Sequence, residues 1–250
     1  MKKMFMAAGM AAVMTACGTA GQKAATDAGN PFLAEYSTPF GVPPFDLIKV
    51  EHYKEAFLKG MEEQKKEIDA IVNQRSVPDF DNTIAAFDQS GELLNKVSTV
   101  FSGLNSCNTN DEMQAFNKEI TPLLSAHRDD ISLNPALFAR VKEVYERREK
   151  LGLDKEQNKL LEETYKKFVR GGANLDSVDQ AKLRQLNSEI SMLQLTFGQN
   201  LLKETNAFEL VIDKKEDLAG LPESLVASAA EAAKGAGMKR SGFSLCTIRV

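Results

Sequence analysis

The chain has 250 residues, 43% of them hydrophobic and 26% charged, with a formal net charge of -4. That is a globular composition and excludes a disordered or fibrous chain. Acids and bases are mixed along the sequence, so there is no clustered Lys/Arg footprint for nucleic acid. Three cysteines, Cys17, Cys107 and Cys246, are too few for a disulfide framework and lack metal-ligand spacing.

Residues 1–17 read as an export signal. Lys2 and Lys3 precede an apolar run from Met4 to Val13, too short to span a bilayer as a helix. The run ends in Met14-Thr15-Ala16-Cys17-Gly18. Small residues before a Cys resemble the bacterial lipobox, which makes Cys17 the expected lipidation site. Met14 departs from the commoner Leu. Residues 18–30 are small and polar, a flexible tether between anchor and fold.

Residues 31–48 contain Pro31, Pro39, Pro43 and Pro44 and are expected to be irregular. From Glu51 to Asn73, Tyr53, Phe57, Met61, Ile68, Ile71 and Val72 recur at three- and four-residue spacing, one apolar stripe of a helix. After Pro78-Asp79 a second stripe runs Ile84, Phe87, Leu94, Val97, Phe101, Leu104. A third runs Met113, Phe116, Ile120, Leu123, His127, Ile131, with Pro122 expected to kink or divide it. A fourth has Leu137, Val141, Val144 and Tyr145 and stops near Gly152. Asp154 with Gln157 forms a capping-box pair ahead of Leu160, Leu161, Thr164 and Phe168. Gly171-Gly172 supplies the left-handed turn that ends that helix. Ser177 with Gln180 is expected to open the next helix in the same way. Its stripe, Leu183, Leu186, Ile190, Leu193, Phe197, Leu201, is the longest in the chain. At Phe208 to Ile212 the pattern turns short and β-branched, consistent with one strand. Leu221-Pro222-Glu223 opens a last helix, through Ala230 to Gly235. The predicted fold is mainly α: an antiparallel helical array with one small β element near residues 207–213.

Few residues offer chemistry. The two histidines, His52 and His127, are far apart in sequence, and His-Glu-x-x-His, Gly-x-Ser-x-Gly, P-loop and dinucleotide patterns are missing from these 250 residues. His127, on an apolar stripe, reads as a structural residue, and His52 as a cap or surface residue. Asp129-Asp130 beside Arg128 reads as a solvated face. Glu162-Glu163 with Lys166-Lys167 reads as helix-spaced ion pairs. No catalytic, cofactor-binding or metal-binding residue is assigned.

Several segments in order nevertheless resemble the N-terminal region of bacterial peptidyl-dipeptidases of the M3 oligopeptidase family. They include Pro43-Pro44-Phe45-Asp46-Leu47-Ile48-Lys49, Glu51-His52-Tyr53-Lys54-Glu55-Ala56-Phe57 and Phe80-Asp81-Asn82-Thr83-Ile84. Ala126-His127-Arg128-Asp129-Asp130-Ile131, Phe168-Val169-Arg170-Gly171-Gly172-Ala173-Asn174-Leu175 and Phe197-Gly198-Gln199-Asn200 follow, and Leu218-Ala219-Gly220-Leu221-Pro222 closes the series. The resemblance covers roughly residues 30–238. It implies a largely helical protein with two halves around a deep channel that admits short, unfolded peptides and releases dipeptides from their C-termini. It also implies zinc, held by a His-Glu-x-x-His helix and a downstream Glu in the half that these residues do not match. Residues 31–238 then correspond to channel wall and lid, inactive alone, in a monomeric cell-envelope lipoprotein anchored to the membrane through Cys17.

Past Gly237-Met238 the resemblance fails where the family continues with a Trp-Val-Phe-Thr-Leu type of strand. Codons permitted for residues 239–250 can encode that strand in a shifted frame, so this tail is expected to be a frameshift product. The segment from Phe243 to Val250 is still β-prone and is expected to pair as a surrogate strand. A non-enzymatic helical lipoprotein that binds peptides or a partner is the alternative reading. Cys17→Ser is expected to release the protein from membranes or leave it unprocessed. Unchanged mass and unchanged detergent-phase partitioning of the variant would contradict the lipobox assignment.

Overall fold

A computed structural model describes residues 29–235, apart from 209 and 213, together with 246–248. The signal, Cys17 and most of the tether lie outside these residues, as does the tail except for 246–248. The described part is a helical array: α1 Val50–Val72, α2 Ala86–Gln89, α3 Glu92–Cys107, α4 Asp111–Ser132, α5 Pro135–Glu146, α6 Lys155–Arg170, α7 Ser177–Ala207 and α8 Glu223–Gly235. The expected strand is present as β1, Leu210–Ile212. It pairs antiparallel with β2, Cys246–Ile248, in the register Leu210↔Ile248, so the tail does supply the surrogate strand. The proline-rich start holds two 3-10 turns, Pro31–Leu33 and Pro39–Gly41.

The apolar spacing of α1 decides the packing. Its first half buries Tyr53, Ala56 and Phe57 in one cluster with Phe32, Val97, Phe101, Met113, Phe116 and Ile120. Its second half buries Ile68 and Ile71 in another, with Ile84, Leu137, Val141, Val144, Leu161 and Phe168. One helix thus forms a wall of two cores. In the first, Tyr53 sits 5.0 Å from the rings of both Phe32 and Phe101, the latter edge-on, the geometry that ring quadrupoles favour.

Local signals place the helix ends. Asp154 and Gln157 form the expected box, with the Gln157 N–H donating to Asp154 Oδ1 at 2.8 Å and the Asp154 N–H to Gln157 Oε1 at 3.1 Å. Gly172 has φ 96°, the left-handed turn ending α6. Asn110 and Asn134 cap α4 and α5 with their side-chain oxygens. His52 accepts from the Lys49 N–H through Nδ1 at 3.1 Å, a capping contact.

Three expectations need correction. The stripe from Ile84 to Leu104 is not one helix. A π-helical turn, Phe80–Ala85, runs into α2, and Gly91, at φ 78°, separates α2 from α3. Pro122 does not divide α4, which runs unbroken across it. Buried Phe116 and Ile120 before the proline and buried Ser125 and Asp129 after it hold both sides in place. The cap of α7 is Asp176, whose carboxylate accepts from the Asp179 N–H at 2.9 Å, not Ser177 with Gln180.

Two glycines test this packing. A Cβ on Gly60 would lie 2.8 Å from the Leu94 backbone nitrogen, so α1 and α3 approach backbone to backbone there. Gly60→Ala is expected to destabilise by about 1–3 kcal/mol through overpacking, despite the better helix propensity of Ala. Gly103, inside α3, meets nothing within 4 Å, and Gly103→Ala is expected to stabilise by roughly 0.5–1 kcal/mol. Urea unfolding midpoints of the two variants check both, and a stabilising Gly60→Ala would contradict the contact.

Candidate functional site

The longest helix carries the most exposed apolar surface. Four polar side chains of α7 bond to α4. Arg184 Nη1 donates to Asp130 Oδ1 at 2.8 Å, Asn187 Nδ2 to Asp129 Oδ1 at 2.7 Å, and Ser191 Oγ to Ser125 Oγ at 3.1 Å. Gln199 Nε2 reaches Gln114 Oε1 at 2.8 Å. Spacings of three, four and eight residues put these groups on one side of the helix. Most of the apolar stripe points elsewhere: Leu186, Ile190 and Leu201 are exposed, and Leu193 and Phe197 are 67% and 68% exposed, while Leu183 is half-buried near Gly172. No residue of α7 is buried.

This geometry revises the reading of Asp129-Asp130 as a solvated face. Asp129 is buried at 4% exposure and bonded to Asn187, while Asp130 pairs with Arg184. The pairing of Lys166 with Glu162 and of Lys159 with Glu163 follows the helix spacing, whereas Lys167 takes no carboxylate within 4.0 Å among the described residues.

A second polar node lies between α1 and α4. His127 Nε2 is 2.7 Å from Gln64 Oε1, whose amide nitrogen faces the Ser90 carbonyl at 3.4 Å. Burial holds the His127 imidazole below its ordinary range; Lys65 adds to this and Asp130 opposes it. This fits the structural role expected of His127. A third node, which sequence reasoning missed, is Arg140. Its guanidinium is buried and donates to Asn82 Oδ1 at 2.9 Å and to the carbonyls of Gln74 and Ser76 at 3.3 and 3.4 Å. It ties α5 to the loop after α1. Nothing in the local sequence around Arg140 marks these partners, which lie 58 to 66 positions away.

Cys107 is exposed at the end of α3. Among the described residues no three His, Cys, Asp or Glu side chains converge as a metal site, and no helix is long and apolar enough to cross a membrane.

No protein-family model matches the chain. The dipeptidyl carboxypeptidase of Escherichia coli K12 is 44% identical over 209 residues, covering 84% of this chain and 31% of that protein. The Salmonella typhimurium dipeptidyl carboxypeptidase is 42% identical over 214 residues, 86% of this chain and 32% of its own length. This chain is a homologue of the dipeptidyl carboxypeptidases. Oligopeptidase A of Haemophilus influenzae is a more distant relative, 28% identical over 207 residues, 82% of this chain and 30% of that protein. The chain therefore spans about a third of the length of the relatives it matches.

The orientation of α7 is open to a direct test. Asn187→Ala removes the side-chain partner of a buried carboxylate and is expected to cost about 1–3 kcal/mol. Leu193→Ser, on the exposed stripe, is expected to change stability by less than about 0.5 kcal/mol. Chemical unfolding of both variants checks the assignment, and the reverse order of effects would mean that α7 packs through its apolar face.

Proposed function

We propose that these residues form a non-catalytic, N-terminal portion of an exported zinc peptidase that removes C-terminal dipeptides from short, unfolded peptides. The observation that carries the reading is the 44% identity over 209 residues to a dipeptidyl carboxypeptidase about three times as long. The uncovered apolar stripe of α7 supports it, because such a face suits packing against further structure. In this reading the chain is tethered through Cys17 on the exported side of the membrane and supplies channel wall.

Zinc does not fit the residues described here. His52 Nδ1 caps α1 and His127 Nε2 is engaged with Gln64, and neither stands with two further ligands of the kind an open zinc site uses. No step of peptide hydrolysis is therefore assigned to this chain. The second reading, a helical scaffold that binds a partner, draws on the same face of α7.

A chimera separates the two. Residues 30–238 are joined to the remainder of the Escherichia coli dipeptidyl carboxypeptidase in place of its own matching segment. The chimera is expected to release dipeptides from a blocked peptide in a chelator-sensitive way. The 250-residue chain alone is expected to retain no stoichiometric zinc after dialysis and to release none. A folded but inactive chimera would favour the scaffold, and chelator-sensitive turnover by the clean chain alone would overturn the non-catalytic assignment.

A further inference from the structure

A pocket of about 350 Å³ opens where the two cores meet, beside the His127–Gln64 node. It is independent of the α7 face and of the peptidase reading. Its apolar lining is Phe87, Leu94, Leu124, Ile131 and Phe168, drawn from α2, α3, α4 and α6. Phe168 is buried, and its ring lies 5.4 Å from that of Phe87. The polar residues of the lining are Gln64, Ser98, His127, Arg128, Ser132 and Lys167, with no carboxylate among them.

The charge on the lining of this pocket is one-sided. Arg128 and Lys167 are both exposed, and neither lies within 4.0 Å of a carboxylate among the described residues. Of the acids around the pocket, Asp88 is exposed and lines the adjoining cavity with Phe87 and Lys167, and two others are engaged elsewhere. Asp130 is paired with Arg184, and Glu67 accepts from the Gly91 N–H at 2.7 Å. At His127 the charges of Asp130 and Lys65 act in opposite directions, Asp130 the more strongly. An apolar cavity with two cations on its lining and no acid is complementary to a molecule with a bulky apolar body and one negative end.

We propose that this pocket binds an organic carboxylate, with its apolar body against Phe87, Leu124 and Phe168 and its carboxylate between Arg128 and Lys167. Two sources share that chemistry: a free aliphatic acid, and the C-terminus of a short peptide ending in an apolar residue. The volume accommodates either, and Arg128 offers the planar fork that matches a carboxylate.

The test has to resolve position, because an apolar probe also adheres to the open face of α7. Octanoate and N-acetyl-leucyl-phenylalanine are titrated separately into the isotope-labelled full chain and followed by backbone amide NMR. Octanol and the C-terminal amide of the dipeptide serve as uncharged counterparts. Saturable shifts are expected at Gln64, Leu94 and Ile131, with the carboxylate binding about tenfold more tightly than its counterpart, the size of one charge-assisted hydrogen bond. Whichever of the two carboxylates binds names the source. Arg128→Gln with Lys167→Gln is expected to abolish that tenfold difference while the spectrum stays folded, since both side chains are on the surface. Shifts centred on Leu193 and Phe197, equal binding of the uncharged probes, or no saturable shift with either acid would each overturn the proposal.

Discussion

Helix α1 has to satisfy two cores at once, and the rest of the array is arranged around that requirement. Its apolar residues fall into two groups, Tyr53, Ala56 and Phe57 at one end and Ile68 and Ile71 at the other. Between them sit Gly60 and Gln64. Gly60 lets the backbone of α3 come close at Leu94, and Gln64 faces Ser90, Gly91 and His127. A larger residue at Gly60 would push α3 away from the first core, and an apolar residue at Gln64 would leave His127 without its partner. Replacing Tyr53 or Phe57 by Ala would remove a large buried ring, a change worth roughly 3–5 kcal/mol in such cores. The array is therefore cooperative through one helix: α3 and α4 depend on its first half, α5 and α6 on its second.

Helix α7 obeys a different rule. Four polar contacts hold it on α4, each worth on the order of 1 kcal/mol net. Its exposed apolar stripe has five large residues. Burying such side chains completely is worth roughly 1.5–3 kcal/mol each, so covering surfaces that are already part-covered would contribute on the order of 5 kcal/mol. The polar seam nonetheless decides which way the helix faces. Turning the stripe onto α4 would leave buried Asp129 without Asn187, and an unpaired buried carboxylate costs several kcal/mol. Specific pairing thus fixes the orientation, and the hydrophobic gain is left for whatever covers the outer face.

This explains what could be read from the sequence and what could not. The stripes of α1, α4, α5 and α6 translate largely into buried residues because an apolar face gains by burial against any apolar neighbour, as Tyr53 does against Phe101 and Phe116. The Asp154–Gln157 box and the left-handed Gly172 are local devices, legible because their partners lie three or four residues away. The stripe of α7 is equally clear as a pattern, yet periodicity names a face and not what the face meets. Asp129 looks like a surface acid because its partner Asn187 is 58 residues further on. Arg140 gives no local sign of its role, since it is defined by carbonyls and an amide oxygen from the far side of the second core. The break at Gly91 was hidden by an apolar rhythm that continues across it, and the continuity of α4 through Pro122 follows from packing on both sides of the proline, which outweighs a cost of about 3 kcal/mol.

Exposed apolar residues gather in two stretches of chain, the proline-rich start with Phe40, Val42, Phe45 and Leu47, and the part from α7 onward. From α1 to α6 most of the apolar stripes end in the two clusters. From residue 177 onward the balance changes: α7 buries nothing fully, α8 buries only Ala229 and Ala233, and β1 pairs with a three-residue partner. A two-stranded ribbon is marginal by itself, so here it depends on α8, which lies against β2. Among the described helices, the face on which added structure would bury the most apolar surface is therefore the outer face of α7. Within the cores Tyr53, Phe57 and Leu161 are fully buried, and anything placed over charged helix faces such as those carrying Glu62, Lys66, Glu162 and Lys166 would have to strip water from them.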